Sequence, residues 1–313
     1  MESIPCPITG SREFKPFLQA PDRFNLKGQP WQLVQSTASG LVMLDPRPCM
    51  NEMAAHYPAE AYDPFLNRTN ARSLRDKTYL AISNVLLAGK ARIVMKGVGT
   101  PAESTRILEA GCSTGRLLLR LHRNHEVPLA NLCGIETDRQ AAESARNAGL
   151  LHISESGLDK TGFSTRFDRI VFWHVLEHLH RVGEALDNAR ELLKPGGQLV
   201  IALPNIGSLD ARRYGPNWIA LDAPRHLYHF TPETLGKLLE KHGFSVLELG
   251  RWLPDTLYNL WYSEKLDRTI HGCPFGVGGA MRATTNALRS LAAGIDPCRA
   301  SSMVVRAEMT ERE

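Results

Sequence analysis

The hydrophobic and polar positions of the chain change their spacing several times between its two ends. In residues 1–65, proline and polar residues separate short apolar runs such as 41–44, which predicts short strands and turns. From 70 to 89 the apolar positions recur at helical spacing, and Gly89 supplies a stop signal. We therefore expect a small N-terminal appendage over residues 1–65 and a larger domain over residues 66–313.

Residues 105–205 alternate apolar runs of strand length with amphipathic runs of helix length. Strands are predicted at 106–110, 131–136, 167–172 and 198–203. Helices are predicted at 116–125, at 139–147 and from Val182 to a stop at 195–197. Strands and helices that alternate in this way form a parallel sheet with helices on both faces. The pattern predicts an α/β fold.

The last third of the chain starts with an irregular stretch at 208–230. A helix follows, with Thr231 as its N-cap, Pro232 in the first helical position and Gly243 at its end. Two more strands are predicted at 244–249 and 302–309. Between them, a helical insertion is expected at about 252–295.

The amino-acid composition limits the kinds of protein that this chain can be. The chain has 313 residues, 43% of them hydrophobic and 22% charged, which is typical of a globular protein and excludes disordered and collagen-like classes. The formal net charge is +4 without a clustered basic stripe, so no nucleic-acid partner is expected. Six scattered cysteines without a signal peptide predict reduced thiols in the cytoplasm, and no apolar run is long enough for a transmembrane segment.

The most informative local pattern is a loop of small residues at 107–115, which reads I-L-E-A-G-C-S-T-G. Glycines at such a strand–helix turn allow the backbone to approach a ligand closely. The loop lacks both the G-x-G-x-x-G pattern and the Gly-Lys-Ser/Thr ending of a phosphate loop. A carboxylate at Glu109 would repel a pyrophosphate, but it suits a cationic ligand with an amino group, such as S-adenosylmethionine.

This loop resembles the first motif of the class I S-adenosylmethionine-dependent methyltransferases, E/D-x-G-x-G-x-G, with Ser113 in place of the middle glycine. The resemblance extends over residues 70–250. It implies a Rossmann-like, doubly wound, seven-stranded and mostly parallel sheet with helices on both faces, and S-adenosylmethionine as cofactor. It also implies that five loop residues contact the methionine part of the cofactor: Glu109, Gly111, Cys112, Ser113 and Gly115.

Two further strand ends match the same family. Glu136 follows the second strand, where the resemblance implies an acid that binds the ribose hydroxyls, and Asp138 is a nearby competitor for that role. Trp173 and His174 follow the strand at 167–172, and the resemblance implies that both lie beside the cofactor.

The segment 222–233 resembles the subgroup that contains ubiquinone-biosynthesis O-methyltransferases and relatives from polysaccharide gene clusters. Members of that family also carry an N-terminal zinc ribbon with four cysteine ligands. Here the matching positions are Cys6, Thr9, Ser36 and Ser39, and hydroxyls are poor substitutes for thiolates. The appendage is therefore expected to be a metal-free, degenerate ribbon.

Histidine is the usual general base near neutral pH, with an ordinary pKa of about 6.5. His229 is our first choice for the catalytic base because its loop should face the methyl group, and His174 is the second. The segment H-V-L-E-H at 174–178 resembles a metal-binding Glu-x-x-Glu-His pattern, but its first Glu is replaced by His174. We expect no metal, with a divalent ion at His174, Glu177 and His178 as the alternative.

Together these features predict a methyltransferase that acts on a small molecule, a sugar or a glycan or lipid precursor, at oxygen. The alternatives are methylation at carbon or nitrogen, methylation of RNA, and a noncatalytic scaffold that keeps the methyltransferase fold.

Overall fold

A computed structural model describes residues 1–57, 74–158 and 162–310 of the chain. Its strands are β1 (Phe14–Ala20), β2 (Trp31–Ser36), β3 (Val42–Leu44), β4 (Ile107–Ala110), β5 (Leu132–Ile135), β6 (His152–Ser154), β7 (Phe167–Trp173), β8 (Leu193–Pro204), β9 (Tyr228–His229), β10 (Phe244–Arg251) and β11 (Ser302–Met309). Its α-helices are α1 (Leu74–Met95), α2 (Arg116–His125), α3 (Arg139–Asn147), α4 (Val182–Leu192), α5 (Leu209–Tyr214), α6 (Pro232–Lys241), α7 (Pro254–Ile270) and α8 (Gly276–Ala293).

Seven strands form one sheet in the order β10-β11-β8-β7-β4-β5-β6. β4 pairs in parallel with β5 on one side and with β7 on the other, and β5 pairs in parallel with β6. The chain order reverses direction between β4 and β7, and ligands of open α/β sheets bind outside the carboxyl ends of the strands at such a point. The predicted Rossmann-like α/β fold is confirmed.

Burial explains why these segments form a two-sided sheet. Every residue of β4, β5 and β7 is buried, as expected for strands covered on both faces. α2 buries Leu117, Leu118 and Leu121 on one face. α3 buries only alanines, which lets this helix pack closely. The helical and strand periods in the sequence therefore correspond to buried faces.

A second sheet has four strands in the order β1-β2-β3-β9. The pairs β1–β2, β2–β3 and β3–β9 are all antiparallel, and Val42 pairs with His229. The N-terminal segment thus forms a sheet with a strand from the last third of the chain. Sequence periodicity could not reveal this pairing, because β9 is only two residues long.

The chain divides into two compact units. Among the described residues, the first unit contains 1–57, 176–183 and 201–306. The second contains 74–175, 184–200 and 307–310. The domain boundary that we predicted at 65/66 lies outside the described residues.

Two local features differ from the expectations or refine them. α4 ends at Leu192 and β8 begins at Leu193, so the Pro-Gly-Gly segment lies within the strand and does not end the helix; Gly196 accommodates a φ of +74° there. The stretch 208–230 includes a short helix, α5, that begins at the N-cap Ser208. No helix among the described residues is long and apolar enough to cross a lipid bilayer.

Candidate functional site

The loop between β4 and α2 has backbone angles that only a few residue types tolerate. Gly111 and Gly115 have φ values of +65° and +73°, and Ser113 has +49°. A Cβ on Gly111 would lie 2.6 Å from Cγ2 of Val175, so no larger residue fits. The amide N–H of Cys112 donates to the carbonyl oxygen of Ile135 at 3.0 Å, which ties the loop to β5. The result is a backbone with little side-chain bulk at the carboxyl end of β4.

Glu136 holds this loop in place. Its Oε2 accepts a hydrogen bond from the amide of Ser113 at 2.8 Å, and its Oε1 accepts one from the amide of Asp138 at 2.8 Å. Burial raises the pKa of Glu136, while these amides oppose the shift. Asp138 caps α3 by accepting from the amide of Ala141 at 2.8 Å. The carboxylate of Asp138 is thus engaged at the helix terminus.

Glu109 is a buried carboxyl group at the end of β4. Its Oε2 has no hydrogen-bond partner in the part of the chain that the structure describes. Burial raises the pKa of Glu109 to about 8, Lys90 lowers it and Glu136 raises it further. A buried hydrogen-bond acceptor without a partner lowers the stability of the folded protein. A ligand that donates a hydrogen bond or brings a positive charge could satisfy this oxygen.

Trp173 ends β7, the other neighbour of β4, and is buried. The ammonium group of Lys90 lies 4.6 Å from the centroid of the Trp173 ring. His174, the next residue, has a φ of +55°, a strained angle for a residue with a side chain. Because β4, β5 and β7 are parallel and in register, Glu109, Glu136 and Trp173 all lie at the same edge of the sheet.

These residues fit S-adenosylmethionine. The unpartnered oxygen of Glu109 can accept a hydrogen bond from an α-ammonium group, and a positive charge stabilises its carboxylate, since Lys90 lowers the pKa of Glu109. Gly111 and Gly115 carry no side chain, and their positive φ angles give the loop a backbone shape that glycine permits at a ligand-binding turn. The carboxylate of Glu136 keeps further lone pairs for hydroxyl donors after its two amide bonds.

A cluster of histidines lies in the first unit. Nδ1 of His178 is 3.0 Å from the carbonyl oxygen of Arg225 and 3.1 Å from Oη of Tyr57. Nδ1 of His226 is 2.9 Å from the carbonyl oxygen of Ala220. Because a carbonyl can only accept, Nδ1 of each ring carries the proton, and Nε2 of the neutral ring keeps its lone pair. The two rings meet edge to face with their centroids 4.5 Å apart.

The same cluster could hold a metal ion. One carboxylate oxygen of Glu177, one nitrogen of His178 and one of His226 all lie within 4.8 Å of one another. Backbone carbonyls that fix the histidine tautomers are typical of the surroundings of metal ligands. Two imidazoles and one carboxylate suit zinc better than magnesium. His226 was not among the ligands that the sequence suggested, because it lies 48 residues beyond His178 in the chain.

His229, our first choice for the base, lies in β9 and is buried. Its Nε2 has no hydrogen-bond partner among residues 1–57, 74–158 and 162–310. Burial lowers the pKa of His229 to about 3, and the negative charge of Asp222 opposes that shift. The ordinary value of about 6.5, which we expected from the sequence, does not apply to this buried ring.

An ion-pair network that sequence analysis missed supports this region. The guanidinium of Arg225 is fully buried and contacts Asp22 at 2.8 Å and Asp222 at 2.9 Å. The carbonyl of the same residue accepts the hydrogen bond from His178. Asp222 has a φ of +35° and also pairs with Arg23 at 2.7 Å. No local pattern indicates that Asp22 meets Arg225, since about 200 residues separate them.

Comparisons with known proteins show the family of the chain. A family model described as a methyltransferase domain matches residues 50–249, more than half of the chain. A ubiquinone biosynthesis O-methyltransferase of Dinoroseobacter shibae is 24% identical over 187 residues, which cover 55% of this chain and 72% of the relative. Another, from Cereibacter sphaeroides, is 28% identical over 164 residues, which cover 47% of this chain and 63% of the relative.

Solved structures point to the same fold. The crystal structure of a mycolic acid cyclopropane synthase in complex with SAH and CTAB aligns with a TM-score of 0.52 at 16% identity. The alignment covers 83% of this chain and 98% of that one. The family match and the shared fold show that the chain belongs to the S-adenosylmethionine-dependent methyltransferases.

Proposed function

We propose that this enzyme transfers the methyl group of S-adenosylmethionine to an oxygen atom of a small molecule, most simply the hydroxyl of an amphipathic aromatic or of a glycan or lipid precursor. The observation that carries the proposal is His229, a buried histidine whose Nε2 has no partner in the described chain. An acceptor hydroxyl must lose a proton during the transfer, so it needs a group of this kind. The names of the two ubiquinone-biosynthesis relatives support oxygen as the acceptor atom.

In this proposal the second unit binds the cofactor. Glu109 accepts a hydrogen bond from the α-ammonium group, the backbone at Gly111, Cys112, Ser113 and Gly115 lies against the methionine part, and Glu136 binds the ribose hydroxyls. Trp173 and His174 flank the cofactor. When bound, S-adenosylmethionine supplies an electrophilic methyl group on a positively charged sulfur.

His229 then acts as the base. Its Nε2 would accept the proton that the acceptor hydroxyl gives up. The imidazole would then carry a positive charge. The nearby charge of Asp222, which raises the pKa of His229 against the effect of burial, favours this charged form. His174 is the second candidate for the same role.

The pH dependence follows from burial. Because burial lowers the pKa of His229 to about 3, the ring is neutral throughout the physiological range and Nε2 keeps its lone pair, although the same burial makes the ring a weaker base than an exposed histidine. We therefore expect a turnover rate that changes little between about pH 6 and pH 8, and not the rise near pH 6.5 that an exposed histidine would produce.

The decisive experiment is an assay with methyl-labelled S-adenosylmethionine and catechol or sugar hydroxyl acceptors, read by mass spectrometry. We expect His229→Ala to lower turnover by about a hundredfold while the affinity for S-adenosylhomocysteine stays unchanged. His152→Ala, which removes an exposed histidine, is the matched control. Product labelled at nitrogen or carbon would contradict the oxygen assignment, and an unchanged rate would move the base to His174.

The same assay separates a base from a metal. If His229 alone takes the proton, chelator treatment leaves the rate unchanged. A rate that collapses on chelation, recovers with zinc and is lost in His226→Ala would assign the acceptor-binding role to Glu177, His178 and His226.

We also propose that the N-terminal segment is a zinc ribbon that has lost its metal. Sγ of the buried Cys6 lies 3.2 Å from Oγ of Ser39. The amides of Gly10 and Gly40 donate back to the carbonyls of Cys6 and Ser36, at 2.8 and 3.0 Å. Hydrogen bonds thus connect positions that a ribbon would use for metal. Triple replacement of Thr9, Ser36 and Ser39 by cysteine should create zinc binding, and failure to bind zinc would contradict the proposal.

A further inference from the structure

The hairpin of α7 and α8 exposes an unusual amount of apolar surface. Among the described residues, nine of the eighteen exposed large hydrophobic side chains lie between 253 and 295. Val277 is 78% exposed, Met281 66% and Leu288 65%. The methyltransferase-domain match ends at residue 249, before this hairpin begins. A concentration of exposed large apolar side chains usually marks a binding surface.

The exposed residues follow helical spacing. Val277, Met281 and Leu288 lie on one face of α8, which we call the outer stripe. The opposite face of α8 is buried and made of small residues such as Gly279, Ala283 and Ala287. α7 repeats the arrangement with exposed side chains at Leu257 and Trp261.

Close contacts at small and aromatic residues hold the two helices of the hairpin together. A Cβ on Gly279 would lie 2.9 Å from Cδ2 of Phe275, so the backbone of α8 approaches this ring closely. Phe275 in turn packs on Trp261 with the ring centroids 4.8 Å apart. The outer stripe is therefore not required for the contacts between the helices, and it remains available to a partner.

The charges beside the outer stripe are positive. α8 contains two arginines and no Asp or Glu, while the three acidic residues of the hairpin all lie in α7. Arg282 and Arg289 are both exposed on α8, and Arg282 keeps 52% of its side chain exposed although it contacts the buried Glu264 at 3.2 Å. An apolar helix face with arginines along one side matches a surface that is apolar inside and negatively charged outside.

We propose that the α7–α8 hairpin binds the surface of an anionic lipid bilayer, with the outer stripe among the acyl chains and Arg282 and Arg289 at the headgroups. Trp261 is of the type that favours the interface between water and lipid. A second copy of the chain fits less well, because a symmetric dimer through the stripe would bring arginines close to their own symmetry mates.

The test uses the full chain and flotation with lipid vesicles. Vesicles of phosphatidylcholine with about 30% phosphatidylglycerol should bind the protein at least about tenfold more strongly than pure phosphatidylcholine. Raising the salt to about 0.5 M should weaken that binding severalfold, since screening acts on the arginine contacts. Equal partition into both vesicle types, or no partition, would overturn the proposal.

Two variants assign the binding to the hairpin. The double variant Met281→Asp with Leu288→Asp should lower partitioning by about tenfold or more. Leu151→Asp is the matched control, since Leu151 is 73% exposed and lies outside the hairpin. All three side chains are exposed, so unchanged melting temperatures are expected. If the double variant binds vesicles as the parent does, or instead dissolves a dimer seen by light scattering, the lipid proposal is wrong.

Discussion

Burial shifts the pKa values of two site residues in opposite directions. Glu109 has its pKa raised to about 8 and His229 has its pKa lowered to about 3, because in each case enclosure disfavours the charged form. Both groups are therefore largely neutral at pH 7 in the cofactor-free protein. A cation next to Glu109 should lower the pKa of this carboxyl group again.

Cofactor binding should release a proton from Glu109. At pH 7, a group with a pKa of about 8 is about nine-tenths protonated, and an adjacent ammonium group favours ionisation. We expect a release of up to about 0.9 proton on binding S-adenosylhomocysteine, measured by calorimetry in buffers of different ionisation enthalpy. In Glu109→Gln the dependence on the buffer should vanish. Buffer-independent heats in the parent protein would contradict the role of Glu109.

His229 should make the protein less stable in acid. Its folded pKa lies below its unfolded pKa of about 6.5, so the unfolded chain binds more protons and stability falls as the pH drops from about 6.5 towards 3. Between pH 7 and pH 5 this costs on the order of 2 kcal/mol of unfolding free energy. Urea unfolding of His229→Phe should show a pH dependence weaker by about that amount. An identical pH dependence in both proteins would show that the ring titrates normally.

At the scale of elements, the β4–α2 loop depends on glycines, because neighbouring side chains occupy the space that a Cβ would need. Gly111 lies against Val175, and in β5 a Cβ on Gly134 would lie 2.5 Å from Sγ of Cys112. These close contacts bring the loop backbone to the carboxyl edge of the sheet and leave no room for added atoms. The glycines of the motif are thus required by neighbouring elements as well as by backbone angles.

Gly111→Ala should weaken the cofactor site. The new methyl would overlap Val175 at 2.6 Å, and the φ of +65° disfavours alanine. We expect the dissociation constant for S-adenosylhomocysteine to rise by about tenfold or more, with a loss of about 1–2 kcal/mol in stability. Gly99→Ala is the control, because no atom lies within 4 Å of that position. Equal affinity in the parent and in Gly111→Ala would show that the loop relaxes freely.

At the scale of the whole molecule, the first unit is assembled from distant parts of the chain. The N-terminal strands pair with β9, and Asp22 contacts the buried Arg225. The buried carboxylate of Asp210 accepts hydrogen bonds from Trp218, Ser290 and Ser301. Buried charged and polar groups of this kind need all their partners, since an unpaired buried charge or hydrogen-bond donor lowers the free energy of unfolding.

Removal of Asp22 should destabilise this unit. Asp22→Ala leaves the fully buried Arg225 with one carboxylate fewer, and we expect a loss of about 3 kcal/mol in urea unfolding. The comparison variant is Glu233→Ala, which breaks the exposed pair with Lys237 and should shift the unfolding midpoint very little. Similar shifts in both variants would mean that the buried pair is not specially important.

Much of the fold and part of the site could be predicted from local patterns. The alternation over 105–205 identified the strands of the parallel sheet and the helices that cover it. It could do so because the spacing of apolar residues depends on which face of a helix or strand is buried. The loop at 109–115 and Glu136 were also selected as candidate cofactor residues, because their motif is contiguous or follows directly after a strand, and their role stays a prediction. The structure places these residues together at one edge of the sheet, where we propose that they bind the cofactor.

What only the tertiary structure decided involves residues far apart in the chain. The pairing of β3 with β9, the position of Lys90 over Trp173 and the approach of His226 to His178 follow from the packing of whole elements. The pKa of His229 also depends on the tertiary structure. A sequence specifies the imidazole, but the loss of water around it depends on every element that encloses it, and only the folded chain brings those elements together.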